Sequence, residues 1–298
     1  MRILVTGATG LIGRALVPEL QAAGHDVIGL AQRPRPGLNL PVSFLWGDVT
    51  HPGLGHRLPP VEAVVHLAGL ADAGASWQEP ARYLAVNAGG TLNLLFFARK
   101  TGARFVFASS QRVYRPGRRL AETAPIEPRD PYGYSKWVGE VWCQMFARLF
   151  GVAATVVRFF SVYGPGQSWS SGQSGVLTIF LERALRGEPL EVRAPSRRDF
   201  TYVADAAAGL RQIIEQGPPA GRVYNIATGR ATSLLTAARL IKRLTESPSP
   251  VIARFAEPEE SFVADISRAR RELGYEPRYT LREGLCAYIA WLRTRNPA

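Results

Sequence analysis

The sequence predicts an α/β protein with a doubly wound parallel sheet and a smaller α/β lobe towards its C-terminus. Two observations support this fold class. Short, continuously apolar segments alternate with longer segments of helical periodicity, a pattern typical of strands that helices cover on both faces. A glycine-rich turn also follows the first apolar segment directly, at the point where a strand would pass into a helix. In sheets of this kind, ligands bind beyond the carboxyl ends of the strands.

The predicted elements follow one another regularly along the chain. Strands are predicted at residues 2–6, 26–31, 43–46, 63–67, 104–108, 155–159 and 223–227. Helices are predicted at residues 11–23, 81–100, 134–150, 176–186, 204–215, 233–246, 266–273 and 281–293. A loop rich in glycine and serine is predicted at residues 164–175. We expect a main domain at residues 1–160, with returns to it near residues 198–230, and the smaller lobe at residues 161–298.

The composition is that of an ordinary globular chain, with 46% hydrophobic and 20% charged residues. No apolar run reaches the length of about 18 residues that a membrane span needs, so we expect no membrane partner. The N-terminal segment lacks the features of a signal peptide. Cys143 and Cys286 lie in apolar helical patterns, which predicts two buried thiols without a disulfide bond. We therefore expect a cytoplasmic protein.

The formal net charge is +12, and arginines carry almost all of the positive charge. These arginines are spread along the chain, so we expect no nucleic-acid partner and favour an anionic phosphate ligand as the explanation. His25, His51 and His56 show no metal-binding spacing, and His66 at a strand end is interpreted as a packing residue. No metal site is predicted.

Gly7, Gly10 and Gly13 form the turn between the first strand and the first helix. The first glycine permits a tight turn, the second lets the backbone approach a pyrophosphate, and the third lets the helix pack closely on the strand. The phosphates would lie at the helix N-terminus, beside Leu11 and Ile12, where free N–H groups favour an anion. The turn therefore predicts a dinucleotide cofactor and makes the main domain a dinucleotide-binding domain.

The end of the second strand indicates which dinucleotide binds. An acidic side chain there would bind the adenosine ribose of NAD, whereas an arginine suits the additional phosphate of NADP. Residues 29–35 contain no carboxylate, and Arg33 lies about 20 residues after Gly13. This slightly favours NADP, with NAD as the alternative. After the third strand, Asp48 and Val49 are predicted to contact the adenine, and a turn formed by Asp48 is the alternative.

Tyr132 and Lys136 are four residues apart, so on a helix they would lie on one side and about one turn apart. A phenol titrates near pH 10, and a neighbouring ammonium lowers its pKa by favouring the anion. The Ser110 hydroxyl could share the proton on the substrate side. The three side chains predict a site that moves a proton on or off a sugar or alcohol hydroxyl. An amphipathic helix with a half-buried tyrosine and a surface lysine is the alternative.

Seven further sequence blocks extend over nearly the whole chain. They are His66-Leu-Ala-Gly69, Asn87-Ala-Gly-Gly-Thr91, Ser109-Ser110-x-x-Val113-Tyr114, Pro131-Tyr-Gly-Tyr-Ser-Lys136, Arg158-Phe-Phe-Ser-Val-Tyr-Gly-Pro165, Arg198-Asp-Phe-Thr-Tyr-Val203 and Tyr224-Asn-Ile-Ala-Thr-Gly229. Their identity and order resemble the extended short-chain dehydrogenase/reductase family, in its nucleotide-sugar epimerase/dehydratase branch. The resemblance implies a Rossmann-like fold, an NAD(P)-dependent enzyme and a homodimer.

The resemblance also implies roles for individual residues. Tyr132 would be the acid/base at the sugar hydroxyl or ketone, and Ser110 would hydrogen-bond the reacting oxygen. Lys136 would hold the nicotinamide ribose and lower the pKa of Tyr132. Further contacts with the cofactor are implied for Leu67, Ala68, Gly69 and Asn87.

Contacts with a nucleotide-sugar substrate are implied for Ser110, Gln111, Ser161 and Arg198. Arg198 would bind the diphosphate with bidentate hydrogen bonds. Pairing of Arg198 with Asp199 to hold a loop is the alternative.

Three departures from the family pattern bear on the reaction. Dehydratases carry Asp-Glu directly after the catalytic hydroxyl, whereas this chain has Gln111 and Arg112, so dehydration is not predicted. Ser161 replaces the asparagine that usually precedes Val-Tyr-Gly-Pro, and Arg254 is displaced by one position from the arginine of a late diphosphate-binding segment. The sugar and its nucleotide are therefore left open.

Two enzymatic activities remain. The segment at residues 167–190 resembles sugar C4-epimerases, which oxidise the sugar and return the hydride to its other face. Arg33 instead favours a 4-ketoreductase that uses NADPH once. A nucleotide-sugar 4-epimerase is the primary hypothesis, and an NADPH-dependent 4-ketoreductase is the alternative. The intact set of Ser110, Tyr132 and Lys136 argues against a non-enzymatic cofactor-binding protein.

Overall fold

The computed structural model describes residues 1–34, 38, 40–167 and 175–295. All of the predicted site residues lie in these ranges. Most of the predicted glycine- and serine-rich loop lies outside the described residues, and so do residues 168–174 of the segment that resembles C4-epimerases.

Thirteen strands occur in the described part of the chain. They are β1 (Arg2–Thr6), β2 (Asp26–Ala31), β3 (Ser43–Trp46), β4 (Ala63–His66), β5 (Arg104–Ser110), β6 (Gly117–Leu120), β7 (Ala154–Phe159), β8 (Leu190–Val192), β9 (Arg197–Arg198), β10 (Arg222–Ile226), β11 (Thr232–Ser233), β12 (Val251–Ala253) and β13 (Phe262–Ala264). Seven of them form a parallel sheet in the order β10-β7-β5-β4-β1-β2-β3. From β1 the chain continues to β2 on one side, and it later returns to the other side of β1 at β4. Because the strand order reverses there, a crevice opens between the carboxyl ends of β1 and β4.

Nine α-helices occur in the same ranges. They are α1 (Leu11–Ala22), α2 (Pro80–Tyr83), α3 (Gly90–Thr101), α4 (Pro131–Phe150), α5 (Val176–Leu185), α6 (Val203–Gln216), α7 (Leu234–Thr245), α8 (Ser267–Leu273) and α9 (Leu281–Arg295). α1, α6 and α8 pack on one face of the large sheet, and α3 and α4 pack on the other. The doubly wound parallel fold that the sequence predicts is therefore confirmed.

A smaller lobe is built mainly from the C-terminal half of the chain. It contains a four-stranded sheet in the order β11-β9-β13-β6 and a two-stranded sheet of β12 and β8. α5, α7 and α9 share an apolar core there. The chain crosses between the two parts, because β6 comes from the N-terminal half and β10 returns to the large sheet.

The structure differs from the predicted elements in two places near the crevice. α4 begins at Pro131, not at Tyr134, because the Asp130 carboxylate caps the helix by accepting from the Gly133 N–H at 2.7 Å. The predicted helix at residues 81–100 is α2 and α3 joined by a π-helical turn, Leu84–Gly89. Such wide turns are frequent at functional sites.

The thiols and the apolar segments also differ in part from the expectation. Cys143 is buried as predicted, but Cys286 is exposed, so the prediction of burial was wrong for that residue. Neither cysteine forms a disulfide bond. Among the described residues, none of the helices combines the length and the apolar character that crossing a membrane requires.

Candidate active site

A cavity of about 920 Å³ lies along the carboxyl ends of the large sheet. Its walls come from the segments that follow β1, β2, β3, β4, β5 and β7, and from the start of α5. Its volume is near the upper end of the range of roughly 300–1,000 Å³ that small-molecule sites occupy. The cavity is therefore large enough for an extended ligand.

The glycine turn forms one end of this cavity. Gly7 has a positive φ of 65°, and a Cβ atom on it would lie 2.7 Å from the backbone nitrogen of Ala68. A Cβ atom on Gly13 would lie 2.5 Å from the Gly7 oxygen. Gly10 precedes α1 and offers no side-chain cap, which leaves the helix N-terminus available to an anion. The residues of this turn that line the cavity are Gly7, Gly10, Leu11, Ile12 and Gly13.

The end of β2 presents Gln32, not Arg33, to the cavity. Gln32 Nε2 donates to Asp48 Oδ2 at 2.8 Å, and the other oxygen of Asp48 accepts from the Thr50 N–H at 2.9 Å. The pKa of Asp48 is lowered, mainly because its carboxylate accepts the hydrogen bond from the Thr50 backbone. Asp48 therefore forms the turn that was the alternative prediction, and it lines the cavity together with Val49. Arg33 is exposed and is not among the lining residues that the structure describes.

The segment after β4 forms the middle of the cavity wall, which Leu67, Ala68 and Gly69 line. Asn87, from the π-helical turn, lies behind this wall and is fully buried. Its Nδ2 donates to the Leu70 oxygen at 3.0 Å and to Ser135 Oγ at 2.8 Å, and its Oδ1 accepts from the Leu70 N–H at 2.8 Å. Asn87 thus fastens the wall to α4 and has no lining position of its own.

Ser110, Tyr132 and Lys136 meet where β5 ends beside the first turns of α4, and all three line the cavity. The early start of α4 places Tyr132 in the first turn of the helix that carries Lys136 one turn later. Lys136 Nζ donates to the Ala108 oxygen of β5 at 2.9 Å. Ser110 Oγ accepts from the Arg112 N–H at 3.2 Å, and its hydroxyl also interacts with the phenol of Tyr132.

The pKa of Tyr132 differs from the prediction. Burial is the largest cause of this difference and raises the pKa of Tyr132 above the usual value of a phenol. The charge of Asp130 raises it further. The Ser110 hydroxyl and Arg112 act in the opposite direction. The lowering that was predicted from Lys136 is therefore not present in the protein alone, because its ammonium is directed at the Ala108 carbonyl.

The pKa of Lys136 is lowered to about 8, chiefly by burial, while the carboxylate of Glu140 raises it. His66 lies close enough to Lys136 to be affected by its charge. Burial, and then the charge of Lys136, lower the pKa of His66 to about 3. His66 Nδ1 is 2.8 Å from Thr6 Oγ1, and the ring packs between Phe105 and Phe107. A neutral imidazole in this position is a packing residue.

Gln111 and Ser161 line the cavity and lie together. Gln111 Nε2 donates to Ser161 Oγ at 3.3 Å. Gln111 Oε1 is buried and has no hydrogen-bond partner among the described residues. Ser161 has a positive φ of 32°, a backbone conformation that residues other than glycine rarely adopt. A buried acceptor and a strained backbone at one point are typical of a ligand-binding site.

Two arginines that line the cavity, Arg112 and Arg198, flank Glu260. Arg112 Nη1 lies 3.1 Å from Glu260 Oε2 and 3.2 Å from Asp130 Oδ2. Arg198 donates to the Glu260 carbonyl, and its Nη2 lies 3.9 Å from Glu260 Oε2. Burial, and then the charge of Arg112, lower the pKa of Arg198 to about 10. The close approach of two guanidinium groups makes this wall suitable for a multiply charged anion.

Asp199 does not pair with Arg198, so the alternative prediction of such a pair was wrong. Its two oxygens accept from the backbone N–H groups of Thr228 at 2.9 Å and Gly229 at 2.8 Å. Asp199 thus holds the loop after β10, while Arg198 turns to the cavity.

Three residues at the site were not predicted: Gln32 lines the cavity, and Glu260 and Arg14 contact residues that line it. Gln32 is adjacent to Arg33, and the alternation of side chains along β2 was the signal that could have identified it. Arg14 Nη2 donates to the Gly166 oxygen at 3.0 Å and thus joins α1 to the segment after β7. Glu260 had no local signal, because its contacts with Arg112 and Arg198 join segments far apart in sequence. No cluster suited to a metal ion occurs among the described histidine, cysteine and acidic residues.

Comparison with known proteins agrees with this geometry. The model of the NAD-dependent epimerase/dehydratase family matches residues 3–227. The putative UDP-glucose 4-epimerase of Methanocaldococcus jannaschii is 31% identical over 309 residues, which cover 99% of each chain. The structure of MoeE5 in complex with UDP-glucuronic acid and NAD is 32% identical, with a TM-score of 0.91, over 99% of this chain and all of that one.

A second solved structure gives the same result. The UDP-glucose 4-epimerase of Thermotoga maritima with UDP-glucose is 32% identical and has a TM-score of 0.90, over 99% of both chains. The family model spans well over half of the chain, and the similarity extends over its full length. The chain therefore belongs to the NAD-dependent epimerase/dehydratase family, within the extended short-chain dehydrogenases/reductases, and is an NAD-dependent enzyme of that type.

Proposed function

We propose that this enzyme is a nucleotide-sugar 4-epimerase, which inverts a carbinol carbon of the sugar by reversible hydride transfer. The observation that carries the proposal is the meeting of Ser110, Tyr132 and Lys136 on one cavity that also contains the glycine turn. Relatives named as UDP-glucose 4-epimerases over nearly the full chain support the same reaction.

The cavity fits a nicotinamide dinucleotide. Gly7 and Gly13 leave no room for a Cβ atom, and the uncapped N-terminus of α1 can receive the pyrophosphate. Asp48 can accept from the adenine, and Lys136 can hold the nicotinamide ribose. When bound, the cofactor would supply the group that accepts the hydride of the sugar and later returns it.

The protein's own part in the reaction is to move one proton. In the protein alone Tyr132 is protonated; with the cofactor bound, the positively charged nicotinamide ring and the ammonium of Lys136 would favour its phenolate. The phenolate would take the proton of the reacting hydroxyl while hydride leaves the same carbon, and would return that proton when the hydride comes back to the other face. The Ser110 hydroxyl donates a hydrogen bond to the reacting oxygen and stabilises the charge that develops there. No proton or electron is consumed over the cycle, so the reaction needs no added reductant.

We propose that NAD is the resident cofactor, which revises the preference expected from Arg33. Gln32 occupies the lining position at the end of β2, and its neutral amide suits ribose hydroxyls better than a phosphate. The NAD found in the solved structure of MoeE5 supports this choice. Nucleotide released from the denatured protein should be NAD. Release of NADP, or a loss of NADP binding upon Arg33→Ala, would favour the ketoreductase instead.

We propose that the wall of Arg112 and Arg198 binds the diphosphate, and that Gln111 and Ser161 contact the sugar. No carboxylate follows Ser110, so the acid and base that dehydration needs at neighbouring carbons are not supplied there. The NADPH-dependent 4-ketoreductase gains no specific support from the site. The division of the chain near residue 160 and the location in the cytoplasm stay predictions.

We propose a homodimer formed by α3 and α4. Phe96 on α3 is 52% exposed, and Trp137 and Val141 on α4 are 38% and 44% exposed. An apolar surface of this kind on neighbouring helices suits contact with a second copy. Sedimentation of the purified protein at the mass of two chains would support the dimer, and a monomer at micromolar concentration would contradict it.

The proposed reaction is tested directly by incubating the purified protein with UDP-glucose, UDP-galactose and their N-acetyl forms, without reductant. We expect one pair to interconvert towards the same equilibrium from either side. Absence of any conversion, together with consumption of NADPH on a 4-keto sugar, would contradict the epimerase.

A further inference from the structure

A buried ion pair lies beside the catalytic residues, one helical turn beyond Lys136. Arg158 of β7 donates to both oxygens of Glu140, through Nε to Oε1 at 2.9 Å and through Nη2 to Oε2 at 2.6 Å. The two side chains are only 6% and 5% exposed. Ser109 Oγ donates to the same Oε1 at 2.5 Å. The bonds of this cluster join two strands, β7 through Arg158 and β5 through Ser109, to one carboxylate on α4.

Glu140 is connected to Ser110 through Ser109 and to Lys136 through α4. Ser109 precedes Ser110 in β5, so the hydrogen bond from Ser109 holds the strand end on which Ser110 lies. Glu140 follows Lys136 by four residues in α4, so both side chains lie on one side of that helix. The Glu140 carboxylate thus ties the strand that carries Ser110 to the helix that carries Lys136.

Stability alone is a weak explanation for this cluster. Removing two charges from water costs much of what their attraction returns, and apolar side chains of similar volume often stabilise a fold as well. An apolar contact has no preferred direction, whereas the hydrogen bond from Ser109 orients β5 against α4 and the two from Arg158 orient β7 against the same helix.

We propose that Glu140 is a positioning residue of the active site, which aligns Ser110 with α4 and maintains the positive charge of Lys136. The Glu140 carboxylate opposes the effect of burial on the pKa of Lys136. The catalytic part of this inference rests on the proposed function, but the effect on Lys136 does not.

The other groups around Lys136 cannot replace this effect. From β5, the ring of Phe107 and the carbonyl of Ala108 face Nζ. From β4, the His66 ring stays neutral above a pH of about 3. On α4, Tyr132 is neutral at neutral pH because its pKa is raised. Glu140, itself paired with Arg158 of β7, is the charged group among the described residues that raises the pKa of Lys136.

The composition of the chain makes a direct test possible, because it contains only three lysines: Lys100, Lys136 and Lys242. Protein labelled with ¹³Cε-lysine gives three resonances, and a Lys136→Arg variant assigns the one of interest. In the wild-type chain, we expect the Lys136 resonance to titrate near pH 8. In Glu140→Gln, it should titrate lower by about one unit, since an opposite charge nearby has been removed. Titration of Lys136 at an unchanged pH would overturn the proposal.

The single variant leaves Arg158 buried without its partner and is at risk of not folding. The double variant Glu140→Gln with Arg158→Met removes both charges. A smaller lowering of the Lys136 titration is expected there, because the loss of the positive charge offsets part of the loss of the negative one. Glu122→Gln is the matched control, because Glu122 is also a buried carboxylate in this region but pairs with Arg268 at 3.7 Å. It should leave the titration of Lys136 unchanged, and an equal shift there would contradict a specific role of Glu140.

A kinetic measurement tests the alignment of Ser110. Ser109→Ala keeps the Glu140–Arg158 pair and removes only the hydrogen bond between Glu140 and β5. We expect kcat to fall between about tenfold and a hundredfold at an unchanged KM, as for a small misplacement of catalytic groups. An unchanged kcat would overturn the alignment. Because the lysine titration needs no substrate, it remains decisive even where the protein acts on no nucleotide sugar.

Discussion

The proposed catalytic end of the cavity, at Ser110, Tyr132 and Lys136, and its proposed substrate end, at Gln111, Ser161 and Arg198, differ in how their polar groups are held. Lys136 is held by a backbone carbonyl, and Asn87 and Asp130 hold the surrounding wall and the start of α4. At the substrate end, Gln111 has a buried acceptor without a partner among the described residues, and Ser161 has a positive φ. The catalytic end is thus held mainly by the fold itself, with one buried nitrogen near it, His66 Nε2, that lacks a partner among the described residues. The substrate end instead keeps a buried acceptor that a ligand can satisfy.

This difference separates chemistry from specificity. Groups that move a proton must be aligned before the substrate arrives, so their support comes from the scaffold. Groups that recognise a substrate keep free hydrogen-bonding capacity, which the substrate satisfies on binding. Changes at the catalytic end should therefore act on kcat, and changes at the substrate end should act on KM.

The largest effect is expected for Tyr132→Phe. Because this change removes the group that takes the proton, kcat should fall by about 10²- to 10⁴-fold, while the affinity for NAD stays nearly unchanged. Tyr134→Phe is the matched control, since Tyr134 lies on the same helix but is 51% exposed. Steady-state kinetics and NAD titration of both variants measure these effects. Turnover of Tyr132→Phe at the wild-type rate would remove Tyr132 from the mechanism.

A smaller effect, on KM, is expected for Arg198→Met. Hydrogen bonds to charged groups contribute roughly 1.5–3 kcal/mol, so KM for the nucleotide sugar should rise by about 10- to 150-fold. Arg197→Met is the control, because Arg197 precedes it in β9 but does not line the cavity. A fall in kcat with KM unchanged would contradict the division between the two ends.

The pH dependence of kcat should report the catalytic end. The folded pKa of Lys136 is lowered to about 8, so its ammonium form is lost as the pH rises through that value. We expect the rate to fall above pH 8, by about tenfold at one unit beyond the pKa. A rate profile at saturating substrate measures this limb. A rate that stays constant to pH 10 would show that the charge of Lys136 is not needed.

The smallest effect is expected for Gln111→Leu. One neutral hydrogen bond contributes roughly 0.5–1.5 kcal/mol, so kcat/KM should fall only about 2- to 13-fold, mainly through KM. Because Gln111 Oε1 has no partner among the described residues, the melting temperature should not decrease. A decrease in melting temperature with unchanged kinetics would make Gln111 a structural residue.

The sequence predicted the sheet, and it predicted that Ser110, Tyr132 and Lys136 lie together, because both depend on local patterns. The apolar strands and the glycine turn can be recognised from short stretches of sequence, and Tyr132 and Lys136 are four residues apart on one helix. The pairing of Arg112 and Arg198 with Glu260 could not be predicted, since it joins segments far apart in the chain. The pKa of Tyr132 could not be predicted either, because burial outweighs its charged neighbours. Arg33 shows the same limit, since the direction of one side chain at a strand end decides whether it reaches the cavity.

In the proposed reaction, one carbon of a nucleotide sugar loses and regains the same hydride within a single active site. The most direct test uses UDP-glucose labelled with deuterium at C4, incubated with the purified protein in ordinary water without reductant. The account predicts UDP-galactose that retains the deuterium at C4. Product that has lost the label to the solvent, or product that forms only with added NADPH, would contradict it.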